Sequence, residues 1–192
     1  MYQTLLFGMD GTLIDSAEGV FYSLYYAMES AGGSELLRSE VRHFLGSPLR
    51  QVLRERFGCE GETLRRIEEC YAAHYREHGL YQTVPAPGMA ELTTRCFEAV
   101  AGSCHNGVPE EKSAVIREAL RLLNAPANTA LMIGDRAADV YSASACGIPC
   151  IGIDFYGYAD PGELEQAGAL AVVHTAEELE CFLNSKHGPG KS

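Results

Sequence analysis

One stretch constrains this chain more than any other: Phe7-Gly8-Met9-Asp10-Gly11-Thr12-Leu13-Ile14-Asp15-Ser16. Ahead of it, Leu5-Leu6-Phe7 reads as a short buried strand, and Gly8 and Gly11 punctuate the turn that ends it. Behind it, Val20, Leu24, Tyr25 and Met28 recur at helical spacing, with Ser16 placed to cap the helix. A strand that runs through a Gly-punctuated acidic loop into a helix is how open α/β sheets hold ligand chemistry at the carboxyl ends of their strands. Far downstream the same device returns, where Ala130-Leu131-Met132-Ile133 leads into Gly134-Asp135-Arg136-Ala137-Ala138-Asp139-Val140. Two carboxylates four residues apart at the mouth of a strand make a hard-oxygen site suited to Mg²⁺. The alternative reading needs no metal: Asp135 as an N-cap and Asp139 as a favourable charge in the first helical turn.

Between these two places the pattern is mostly helical. Residues 17 to about 84 read as three helices. The first closes at Gly32-Gly33, the second opens at Ser47-Pro48, and the third runs over about 61–78 with Gly79 after it. His74 and His78 stand at i, i+4 on the third, but with no evident third ligand they read as a packed or surface pair. Val84-Pro85-Ala86-Pro87-Gly88 is a linker, followed by a helix from Met89 to Cys96 and a strand over Phe97–Ser103. Pro109 suits the first position of the next helix, and Glu110 and Glu111 suit its positive end. Lys112 does not, unless an anion binds there; a solvated lysine offset by its acidic neighbours is the plainer alternative. After the acidic centre come Gly147 as a helix stop, a strand at Cys150–Ile153, the loop Tyr156-Gly157-Tyr158, and a helix from Pro161 to Gly168. A strand over Ala171–His174 precedes a Thr175/Glu178 capping box that opens the final helix.

The opening run resembles the first motif of the haloacid-dehalogenase-like hydrolases, DxDGTLxDS, and Gly134 to Val140 resembles that family's GDRxxDV. The stretch from Met132 to Leu183 is most similar to the phosphoglycolate-phosphatase-like branch. The resemblance implies an α/β fold: a Rossmann-like parallel sheet with helices on both faces, made by residues 1–16 and 85–185. A helical cap over 17–84 would cover the active site and take part in substrate selection, and 186–192 would be a disordered tail. It also implies Mg²⁺-dependent phosphomonoester hydrolysis through an aspartyl-phosphate. Asp10 would be the general acid/base and would give its backbone carbonyl to the metal, with Asp135 and Asp139 as further metal residues. Gly11, Thr12 and Lys112 would bind phosphate, Lys112 also steadying the nucleophile.

The chain departs from the family in two places. The nucleophile position is Gly8, and glycine neither attacks phosphorus nor ligates metal through a side chain. The strand and helix carrying the second motif are also missing. Such a step needs about 30 residues, and Cys96 and Phe97 are adjacent. Thr93, Thr94 and Ser103 are the nearby hydroxyls, each better explained as an ordinary helix or strand-end residue. The sheet is therefore expected to be one strand short, and an exposed apolar edge would favour a homodimer. The expected protein is a phosphatase by descent, impaired at Gly8. The alternatives are a catalytically silent phosphate- or Mg²⁺-binding protein and an altered form of an active parent.

Bulk properties exclude some partners. A formal net charge of -11 opposes steady binding to nucleic acid or an anionic membrane and leaves a small phosphorylated metabolite as the expected ligand. The seven cysteines form no C-x-x-C pair, which favours free thiols in a reducing, cytoplasmic setting. The tail His187 to Ser192 ends like a phosphate-binding loop, but Ser185 stands where that loop needs its first glycine.

Overall fold

The computed structural model describes residues 2–93 and 111–186. In chain order its strands are β1 (Thr4–Phe7), β2 (Ile14–Asp15), β3 (Val84–Pro85), β4 (Ala130–Gly134), β5 (Cys150–Ile153) and β6 (Val172–Val173). Four of them form a sheet in the order β1-β4-β5-β6, every pair parallel, while β2 and β3 pair as a separate ribbon. The helices are α1 (Ala17–Ala31), α2 (Leu49–Phe57), α3 (Gly61–Glu77), α4 (Met89–Thr93), α5 (Lys112–Leu122), α6 (Ala137–Ser144), α7 (Glu163–Ala167) and α8 (Ala176–Lys186).

Both faces of the sheet are buried, so its central strands are unbroken apolar runs. Leu131, Ile133, Ile151, Ile153 and Val173 pack on one face with Met89 of α4 and Leu179 of α8. Ala130, Met132 and Cys150 pack on the other with Ile116 of α5, Val140 of α6 and Leu164 of α7. The alternation along each strand sends neighbouring side chains to opposite faces, and this fixes the register. Phe7 lies opposite Ile133 and Gly134 opposite Gly152, so the carboxyl ends of β1, β4 and β5 stand level. The parallel sheet with helices on both faces is the expected Rossmann-like fold.

The chain divides into two compact units, Met1–Leu13 with Pro85–Ser192, and Ile14–Val84. In the second, α1 packs along α3 and buries Leu24, Ala27 and Met28 on one helix and Leu64 and Ile67 on the other. Gly19 of α1 meets the backbone of Gly79, and a methyl group there would collide with the Gly79 carbonyl. His74 lies with its Nδ1 3.0 Å from Ser23 Oγ and its ring stacked on Tyr26. Among the described residues no three metal-type side chains converge.

Several local expectations shift. Ser16 makes no capping bond; Asp15 Oδ1 accepts the Ala17 N–H at 3.0 Å instead, an acceptor two residues ahead taking the first free donor. Pro48 has an extended ψ of 119°, so it is the N-cap of α2 and the helix starts one residue later than the sequence suggests. α3 ends at Glu77, and Gly79 opens a 3₁₀ turn over Gly79–Gln82. Glu111 has an extended ψ of 136° and caps α5, so Lys112 is its first helical residue. Glu178 donates its N–H to Thr175 Oγ1, but its carboxylate returns to the His174 N–H, one residue before a regular capping box. Thr93 Oγ1 donates to the Met89 carbonyl, an ordinary helical bond.

The expected strand over Phe97–Ser103, the hydroxyls of Thr94 and Ser103, Pro109, Glu110, the missing second-motif strand and residues 187–192 of the expected tail lie outside the described residues, while Lys186, also expected in the tail, is the last residue of α8. Within them, Cys59, Cys70, Cys146, Cys150 and Cys181 are free thiols. No helix of the described chain is long and apolar enough to cross a membrane.

Candidate active site

The site grows from the end of β1. Gly8 donates its N–H to the Ile133 carbonyl at 2.8 Å, which extends the β1–β4 ladder by one bond. The Met9 carbonyl then accepts from Thr12 at 3.3 Å and Leu13 at 2.9 Å, closing a tight turn around Asp10 and Gly11. Gly11 has φ +72°, and any Cβ there would strike the Asp135 carboxylate. Both conformation and space therefore demand glycine at this position. Thr12 is fully buried and its Oγ1 donates to Asp135 Oδ1 at 3.4 Å. Its hydroxyl and its N–H are thus both engaged within the protein.

Asp135 stands one residue past β4 and is 5% exposed. Its Oδ2 is buried without a hydrogen-bond partner. Burial, and then the charge of Asp139, push the Asp135 carboxyl up to about 7, with Lys112 pulling the other way. Asp139 is 0% exposed. Its Oδ2 accepts the Arg136 N–H at 3.2 Å, which completes the start of α6. Its Oδ1 lies 2.6 Å from Lys112 Nζ, a charge contact without the alignment of a hydrogen bond. Asp139 therefore binds down Lys112 and the helix start, while Arg136 rather than Asp135 is the N-cap of α6. Gly134 makes room for this arrangement, since a Cβ there would overlap the Asp139 side chain.

Two residues of this neighbourhood were not singled out in the sequence. Glu163, at the start of α7, accepts from Arg136 Nε at 2.9 Å, from the Ala137 N–H at 2.8 Å and from the Asp160 N–H at 2.9 Å. Burial raises its carboxyl, but Arg136 and the two backbone donors outweigh that and hold it below the ordinary value. Asp154 follows β5 directly, as Asp135 follows β4. Both residues line a narrow recess with Gly11, Ile153, Phe155, Tyr156, Tyr158 and Ala159. The available signal was an acidic residue at the mouth of an apolar strand; nothing local distinguished it from a loop aspartate.

The fold thus joins Gly11, Thr12 and Asp135 in one contact group and Lys112 with Asp139 in a second, and Gly8 lies beside β4 at the head of the turn. An open parallel sheet with an acidic centre at the carboxyl ends of its strands defines the Rossmann-like α/β class, which places ligand chemistry at those ends. Residues 5–96 match the family described as haloacid dehalogenase-like hydrolase, and residues 107–179 match a HAD-hydrolase-like family. A 5′-nucleotidase of Pseudomonas aeruginosa is 30% identical over 193 aligned positions, covering 85% of this chain and 87% of its own. A phosphoglycolate phosphatase of Mesorhizobium japonicum is 25% identical, with 88% and 90% covered. The crystal structure of a predicted phosphatase from Clostridium acetobutylicum superposes with a TM-score of 0.86 at 28% identity, covering 96% of this chain and 99% of that one. The chain belongs to the haloacid dehalogenase-like hydrolases and is similar to their phosphoglycolate-phosphatase-like members. The two family matches break between residues 96 and 107, around the junction of Cys96 and Phe97.

Proposed function

We propose that this chain is a phosphomonoesterase by descent, which keeps a site for Mg²⁺ and a small phosphorylated metabolite but has its hydrolytic step impaired at position 8. The observation that carries the reading is Gly8 itself. It ends the strand beside β4 in an ordinary backbone conformation, and a Cβ there would lie 3.0 Å from Thr12 Oγ1. That hydroxyl is bonded to Asp135, so a side chain at position 8 would enter the acidic centre. Glycine leaves this place without a carboxylate to attack phosphorus. Removing a nucleophile costs on the order of 10⁶-fold in rate.

The residues present suit a hard divalent cation. Asp135 Oδ2 is a buried carboxylate oxygen without a hydrogen-bond partner, and Gly11 leaves open the space beside it. Mg²⁺, when bound, supplies charge neutralisation and orientation of a phosphoryl oxygen. Asp135 and the Asp10 carbonyl would hold it. Asp139, with both oxygens turned to Lys112 and Arg136, serves instead to orient Lys112. The Lys112 ammonium would offset the phosphate charge, and the Asp10 carboxyl would carry the proton to or from the ester oxygen. Similarity to a 5′-nucleotidase and to a phosphoglycolate phosphatase supports a substrate among small phosphomonoesters.

The test is Mg²⁺-dependent hydrolysis of an aryl phosphate by the chain and by its Gly8→Asp variant. The expected result is background turnover by the parent and a gain of several orders of magnitude in the variant. Equal turnover in both, above a no-enzyme control, overturns the assignment of Gly8. Turnover by neither overturns the reading that only the nucleophile is lacking.

A further inference from the structure

Asp135 is not the sole buried carboxylate of the recess. Asp154 Oδ1 is likewise buried and accepts no hydrogen bond, although the side chain as a whole is 28% exposed. Its backbone is fixed, with the N–H donated to the Val173 carbonyl at 2.9 Å. The Asp154 carbonyl faces His174 Nδ1 at 3.3 Å, and that nitrogen is 4.0 Å from Asp154 Oδ2. Oδ2 therefore has a cationic partner when the imidazole is protonated, and Oδ1 does not.

A buried carboxylate oxygen without a donor is costly while it is ionised, and a cation beside it removes that cost. The Lys112 ammonium pairs with Asp139 and the Arg136 guanidinium with Glu163, so other carboxylates already match these two charges. The recess is narrow, which suits an ion better than an organic group. Topology adds a reason. β4 lies between β1 and β5, and the level register places Asp135 between the end of β1, where Gly8 brings no carboxylate, and the end of β5, where Asp154 does. Mg²⁺ is commonly held by one or two carboxylates with waters completing the shell.

We propose that Asp154 is a second carboxylate for the divalent cation in the Asp135 recess, so that the site keeps two acidic side chains despite glycine at position 8. This rests on the reading that Asp135 faces a cation. The position is carried by β5 and its loop rather than by either acidic motif.

The test measures binding, not turnover. Mn²⁺ is titrated into the intact chain and followed by electron paramagnetic resonance, and Mg²⁺ is titrated by calorimetry. The parent, Asp154→Asn, Asp135→Asn and Gly8→Asp are compared. Asp154→Asn should weaken both ions by at least about tenfold, while its far-ultraviolet circular dichroism and metal-free melting stay close to those of the parent. In the Gly8→Asp background, where a carboxylate returns on the other flank, the same substitution should matter less. Unchanged affinity in Asp154→Asn, with binding still abolished by Asp135→Asn, overturns the proposal and leaves the cation site standing. Absence of binding in the parent overturns both. If Asp154→Asn fails to fold, Asp154→Ser takes its place and is read against the same two outcomes.

Discussion

At the scale of single residues, Asp135 is the most consequential group in the molecule. Its carboxyl is pushed up to about 7 by burial and by Asp139, against about 3.9 in an unfolded chain. The native state therefore binds more protons than the unfolded state between these two values. The sign follows: the stabilisation is complete below about 4 and is lost as pH rises through about 7. With metal chelated, thermal unfolding should show stability falling between pH 5 and pH 8 by an amount on the order of a few kcal/mol. Asp135→Asn should flatten most of that slope. At the proposed cation site, added Mg²⁺ would compete with the proton, so its stabilising shift should be larger at pH 8 than at pH 6. A slope unchanged in Asp135→Asn would place the titration elsewhere. The same residue shows the limit of a sequence reading. Its place at the mouth of β4 follows from the apolar run and the glycine before it, whereas its protonation depends on burial, Asp139 and Lys112, and that environment exists only in the folded sheet.

At the scale of elements, two joints can be tested. Glu163 ties the start of α7 to the start of α6 through Arg136, the Ala137 N–H and the Asp160 N–H, and both charged side chains are 14% exposed. Glu163→Ala leaves a mostly buried guanidinium and two backbone donors without their acceptor, so chemical denaturation should show a loss of about 3 kcal/mol. In the helical unit, α1 and the turn at Gly79 approach so closely that a methyl group at Gly19 meets backbone rather than a movable side chain. Gly19→Ala gains helix propensity but overpacks this crossing, and a net loss of about 1–3 kcal/mol is expected. The termini of β1, β4 and β5 were legible because buried parallel strands are apolar runs stopped by glycine or acid. The caps were less so: Ser16 and Asp15 are both competent acceptors, and only the path of the backbone decides between them. Glu163 was less legible still: the Asp160 N–H is three residues away, but Arg136 and Ala137 lie more than twenty residues off and no periodicity links them to it.

At the scale of the whole molecule, the family could be named from two motifs, while the two departures from it could only be marked. The family matches stop at residue 96 and resume at residue 107, on the stretch where the sequence suggests a missing segment. Likewise, the alignment to the nucleotidase spans 193 positions while drawing on 85% of 192 residues, so part of that relative has no counterpart in this chain. A different feature bears on how such a molecule changes over time. The helical unit begins at Ile14 and ends at Val84, and these residues sit in β2 and β3, the two strands of one ribbon. Just inside, the Ala86 N–H meets the Leu13 carbonyl at 2.9 Å. The excursion therefore leaves and rejoins the sheet at a single address. Whatever is inserted there needs only two neighbouring ends, whatever its length, because joining the ends of a longer loop adds little to the entropic cost. Such an address lets a lineage exchange the inserted unit while the sheet and its acidic centre are inherited unchanged.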